Sequence, residues 1–183
     1  MLRIGLIIAA AVLIVDQAAK FWVLEGLNFS PPGCREFHFR CGKIEISPIF
    51  DLTMLWNEGI SFGLFRAGSE GARWALVALQ GGIACLFGWW LMSARAPLTV
   101  LALSLVIGGA LGNVLDRVRF GAVVDFLDFS GLGFPWVFNV ADAAINVGAA
   151  LLAIEFLILR REAKLRAEAA PAPGPAPKSD PAS

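Results

Sequence analysis

The chain has 183 residues, of which 57% are apolar and 16% charged, and its mean hydropathy is +0.70. Soluble domains usually carry about a quarter charged residues, so this composition excludes an ordinary soluble fold and indicates a polytopic membrane protein. The basic and acidic residues, 15 of each, cancel, which leaves no electrostatic footprint for nucleic acid. With His38 as the single histidine, neither a zinc site nor a Ser-His-Asp triad is expected, and hydrolytic chemistry would fall to carboxylates. No cysteine/histidine metal pattern or phosphate-cradling glycine loop occurs, so no cofactor is expected.

In chain order, residues 4–24 form an apolar run long enough to span a bilayer, read as a first transmembrane helix and not a removed signal peptide. Within it, Asp16 and Lys20 are four apart and share a face, the acid one turn before the base. Residues 25–71 are expected to be extramembrane. Their first part, 28–42, is irregular and insertion-like; its Cys34 and Cys41 would close a small disulfide loop in an oxidising compartment and remain thiols otherwise. From 43 to 65 the pattern is β-like, with Asn57-Glu58-Gly59 as a turn signal, and predicts a short hairpin or small sheet on the membrane surface. Trp56 and Phe50 suit interfacial positions there.

A second span is predicted over 72–92, with Trp74, Trp89 and Trp90 as interfacial anchors and Gly81, Gly82 and Gly88 as sites of close helix contact. After a short link, Pro97 opens a third span, 98–118. Gly108, Gly109 and Gly112 thin its far end for the approach of another backbone. A fourth span is expected over 136–159, where Asn139, Asp142 and Asn146 draw an inward polar stripe and Glu155 reaches toward the basic cluster Arg160, Arg161, Lys164 and Arg166. Residues 1–168 thus read as one polytopic domain. The Pro/Ala-rich end, 169–183, is expected to be disordered. Arg95 of the short link and the basic C-terminal flank favour both termini in the cytoplasm. The first loop also carries Arg35, Arg40, Lys43, Arg66 and Arg73, and the third Arg117 and Arg119, but long loops obey the rule weakly.

Polar groups crowd between residues 108 and 142: Asn113, Asp116, Arg117, Asp125, Asp128, Asn139 and Asp142 all fall at or near membrane depth. Such groups are costly there and mark function. Two carboxylates brought within reach share a proton and titrate as a pair; one then activates a water while the other polarises a scissile carbonyl. Spacing alone does not select the pair, because Asp116 and Asp128 compete with Asp125 and Asp142. Structural ties to Arg117 or Arg119, or a proton or ion pathway, use the same residues.

Five motifs occur in order: Asp16-Gln17 with Lys20; Asn57-x-Gly59-x-x-Phe62-Gly63; Gly108-Gly109-Ala110-x-Gly112-Asn113-x-x-Asp116-Arg117; Val123-Val124-Asp125-Phe126; and Phe138-Asn139-x-Ala141-Asp142. Together they resemble those of the lipoprotein signal peptidase (signal peptidase II) family. The resemblance implies an all-α membrane protein, with four transmembrane helices and a small extramembrane β-rich segment between the first two. It also implies an aspartic endopeptidase of the bacterial cytoplasmic membrane, with its active site near the outer face. Its partners would be membrane lipids and a prolipoprotein carrying a diacylglyceryl-cysteine, cut just before that cysteine; separately, the chain is expected to act as a monomer. Carried over by motif, Asp125 and Asp142 are the catalytic dyad. Asn57, Gly59, Asn113, Arg117 and Asn139 bind substrate or support the dyad, Asp16, Lys20 and Asp116 give structural support, and no metal or cofactor takes part.

Overall fold

The computed structural model describes residues 1–29, 34, 42–59 and 70–169. Its helices are α1 (Leu2–Phe21), continued by a wider turn over Trp22–Gly26, α2 (Glu70–Ser93), α3 (Pro97–Phe120) and α4 (Val140–Ala169). At 24 residues, α2 and α3 are each about 36 Å long, enough for a hydrocarbon layer of about 30 Å. All four are long and apolar enough to cross a membrane.

Helix α3 is the centre of the bundle. In its apolar window 67% of residues are buried, against 17% or less in the others. The outward faces of the others expose Ile7, Phe21, Leu79, Trp89 and Leu157, a surface tolerated only against lipid. The glycines of α3 explain the close packing. A Cβ on Gly108 would lie 2.6 Å from the Ala9 carbonyl of α1, and one on Gly109 would collide with the Ala141 carbonyl of α4. The small residues of α2 behave differently: nothing lies within 4 Å of a Cβ built on Gly81, Gly82 or Gly88. Among the described residues these positions make no close helix contact, contrary to the expectation.

Strands β1 (Gly42–Ser47), β2 (Phe50–Asn57), β3 (Val123–Asp128) and β4 (Val137–Phe138) form one antiparallel sheet in that order. The sheet is therefore shared between the α1–α2 connection and the α3–α4 connection, and is not confined to the former. Its first hairpin turns at Pro48-Ile49, with the Ser47 hydroxyl accepting from the Phe50 N–H at 3.1 Å. Asn57-Glu58-Gly59 instead ends β2; residues 60–69 lie outside the described part. Trp56 is buried within the protein, edge-on to Phe120 at 5.7 Å, in an apolar cluster with Val23, Met54, Val124 and Phe126. Because side chains alternate along a strand, Val124 and Phe126 enter that cluster and Asp125 projects from the other face. A bulge in β2 lies between Leu52 and Leu55, next to the residue paired with Asp125, where such irregularities re-aim side chains.

The fourth helix starts at Val140 and not at 136, because Val137 and Phe138 pair with Asp128 and Leu127. Asn139 then caps it: its Oδ1 accepts from the Asp142 N–H at 2.8 Å, satisfying a donor that a helix start leaves open. Glu155 does not reach the basic cluster; its two carboxylate oxygens lie 2.6 and 2.8 Å from the Thr99 hydroxyl of α3. Cys34 is disulfide-bonded, and Cys41 is outside the described residues, as are 170–183 of the Pro/Ala-rich end.

Candidate active site

The site lies where the C-terminal ends of α1 and α3, the N-terminal end of α4 and the sheet converge. Its base is a buried ion cluster. Lys20 Nζ lies 2.8 Å from Asp16 Oδ2 and 2.7 Å from Asp116 Oδ2, all three side chains being at most 3% exposed. Each acid also satisfies a donor elsewhere in the fold. Asp16 Oδ1 accepts the Ala141 N–H of α4 at 2.9 Å, Asp116 Oδ2 accepts the Val124 N–H of β3 at 3.2 Å, and Asp116 Oδ1 accepts from Gln17 Nε2 at 2.9 Å. Buried charge is tolerable only with such complete pairing.

Above this base, a run of amides is oriented step by step. Asn113 Oδ1 accepts from Lys20 at 3.3 Å and from Asn139 Nδ2 at 3.2 Å. With its oxygen so engaged, Asn113 Nδ2 turns to Asp142 Oδ1, at 2.7 Å. The oxygen of Asn139 is taken by the helix cap, so its Nδ2 donates to Asp125 Oδ1 at 2.7 Å. On the sheet side, Asn57 Oδ1 accepts the Gly59 N–H at 2.9 Å, and Asn57 Nδ2 donates to Asp125 Oδ2 at 2.9 Å. Gly59 has φ +101, a conformation that favours glycine, so this amide is oriented by a glycine turn.

Asp125 and Asp142 thus receive neutral amide donors, whereas the cation Lys20 is bound to Asp16 and Asp116. Asp125 is fully buried. Burial first, and the neighbouring charge of Asp142 second, push its carboxyl up to about 7 from 3.8, against the opposing hydrogen bonds of Asn57 and Asn139. The competing acids are engaged differently. Asp116 is ion-paired as above. Asp128 accepts from the Thr53 hydroxyl at 2.6 Å and from the Ser130 N–H at 2.9 Å, tying β3 to β2 and to the turn that follows.

Arg117 does not pair with a carboxylate among the described residues. Its Nη1 donates to Gln80 Oε1 of α2 at 2.8 Å, although Asp142, Asp125 and Asp116 lie within electrostatic reach. Arg119 stacks over Phe120 at 4.9 Å. The expected inward stripe on α4 is incomplete: Asn139 is buried and Asp142 half-buried, but Asn146 is exposed. Sequence reasoning missed Gln80 and Arg73. A glutamine midway along an apolar helix was the available signal. Beside Asp142 opens a cleft of ≈ 640 Å³ lined by Phe134, Trp136, Val137, Phe138 and Ile145.

Comparison with known proteins bears on what this arrangement serves. The family model for signal peptidase (SPase) II matches residues 8–158. The chain belongs to the signal peptidase II family. A lipoprotein signal peptidase of Sphingopyxis alaskensis is 42% identical over 164 residues, covering 88% of this chain and 90% of that protein. Another, from Rhizorhabdus wittichii, is 44% identical over 167 residues, covering 90% and 91%. A solved bacterial membrane enzyme structure superposes with a TM-score of 0.69 at 26% identity, covering 85% of this chain and 88% of the other. As a signal peptidase II family member with four membrane-spanning helices, the chain is a multi-pass bacterial membrane protein.

Proposed function

We propose that this chain is an aspartic endopeptidase that removes signal peptides from diacylglyceryl-modified prolipoproteins, cutting before the lipidated cysteine, with Asp125 and Asp142 as its dyad. The observation that carries the assignment is the contrast among the four acids. Asp16 aside, Asp116 is neutralised by Lys20 and Asp128 is absorbed in strand ties, whereas Asp125 and Asp142 are bridged through Asn139 and Asn113 by neutral amides. Such a pair retains one proton. Water held by the ionised carboxylate gives up a proton to it as its oxygen attacks the scissile carbonyl. The protonated partner donates to the carbonyl oxygen, giving a geminal diol; collapse then breaks the C–N bond as the proton taken from water leaves on the amine and one hydroxyl proton returns to the partner.

The apolar cleft beside Asp142 suits a substrate with long hydrocarbon parts, entering sideways from the bilayer. A proton or ion pathway is disfavoured by the apolar cluster of Ala9, Leu91, Val100, Leu103 and Ile107, which fills the bundle away from the site. The site end carries the sheet. The opposite end carries Arg3, Arg95, Arg160, Arg161 and Lys164. Although Lys43, Arg73 and Arg119 lie toward the site, the long α1–α2 connection counts little in the positive-inside rule, and the short link and C-terminal flank favour cytoplasmic termini with the site near the outer face. In this reading residues 1–168 are one polytopic domain acting as a monomer. The test is incubation of purified full-length chain with a diacylglyceryl-modified prolipoprotein: cleavage before the modified cysteine is expected, and an uncut substrate would overturn the function.

A further inference from the structure

Arg73, Leu76 and Gln80 lie three and four apart on α2 and therefore on one face, and each touches the site. Arg73 donates from Nε to the Arg117 carbonyl at 2.8 Å and from Nη2 to the Val118 carbonyl at 2.8 Å. Leu76 lies against Gly59, where any Cβ would strike it. Gln80 accepts from Arg117 Nη1. Arg117 is thus held twice from α2, once by its backbone and once by its guanidinium. The side chain is buried, 6% exposed, yet its Nε has no partner among the described residues. A buried donor without an acceptor is costly, and a cation especially so.

We propose that Gln80 is a positioning residue: it turns the Arg117 guanidinium so that its free donors receive a main-chain carbonyl of the bound substrate. The proposal rests on the peptidase reading above. A neutral acceptor suits this task. It occupies one of the five guanidinium N–H groups and leaves the positive charge undiminished, whereas a carboxylate at the same place would take two donors and neutralise the cation.

The experiment compares wild-type chain with Gln80→Met, which keeps the length and removes the acceptor, and Gln80→Glu, which keeps the shape and adds charge. The probe is a diacylglyceryl-modified prolipoprotein. Gln80→Met is expected to raise KM about tenfold with kcat nearly unchanged, the loss expected for one charge-assisted hydrogen bond that orients bound substrate. Gln80→Glu is expected to raise KM further. In an Arg117→Ala background neither change should add to the defect. A merely structural role would lower thermal stability and active fraction without moving KM. Unchanged KM in Gln80→Met, or additivity with Arg117→Ala, would overturn the proposal. If Gln80→Met does not fold, the isosteric Gln80→Glu decides alone: unchanged KM refutes it. Failure of the wild-type chain to cut would instead refute the peptidase reading.

Discussion

Asp125 shows how a single residue acquires unusual chemistry from its place in the fold. Its backbone sits in β3, but its side chain leaves the apolar face and meets two amides whose own oxygens are already occupied. Burial and Asp142 raise its carboxyl to about 7 from 3.8. Unfolded chain therefore ionises at this position above 3.8, while the folded chain holds the proton until about 7. Between those values the folded state binds more protons, so stability falls as pH rises and levels off above the upper value. Thermal denaturation from acid to neutral pH should show this slope in the wild type and lose much of it in Asp125→Asn. Turnover that needs a shared proton should decline as pH passes upward through about 7.

Helices α1, α3 and α4 are joined at the site end by polar bonds as well as by close packing on the α3 glycines. Lys20 bridges Asp16 and Asp116, and Asp16 in turn caps an N–H of α4. Replacing Lys20 with Met leaves two buried carboxylates without their cation. A loss of about 3–5 kcal/mol is expected, measured as a fall in thermal stability together with loss of activity. Unchanged stability would show that the cluster does not tie the helices.

At this level the sequence was readable where patterns are local. The Asp16/Lys20 pair and the thinned glycine end of α3 follow from spacings of three and four on a helix, and the Pro97 start from the preference of proline for a first helical turn. The sheet was only half visible, because β3 pairs with β2 across separate connections and β4 is only two residues long, so no local alternation announces their partners. The start of α4 was misplaced for the same reason: two residues committed to a strand look apolar enough for a span. Gln80 escaped notice because its partner, Arg117, is 37 positions away.

Over the whole molecule, the polar site and the sheet occupy one end of a lipid-facing bundle, and Arg3, Arg95 and the basic flank of α4 occupy the other. In intact cells, Arg95→Cys on the short α2–α3 link should resist a membrane-impermeant thiol reagent and react in inverted vesicles. Labelling in intact cells would reverse the proposed orientation. The alternation of helices also explains why residues from five distant motifs meet: α1 and α3 end, and α2 and α4 begin, at the same level. Which acids form the pair was open from spacing alone; resemblance favoured Asp125 and Asp142, and their amide-only environment supports that choice.

The central claim is that these two carboxylates share the catalytic work. Its most direct test is cleavage of a diacylglyceryl-modified prolipoprotein by Asp125→Asn and Asp142→Asn, each purified as full-length chain and checked for folding. Both folded variants should lose turnover by at least about a hundredfold, as expected when an acid or base is removed. Substantial cleavage by either folded variant would contradict the account.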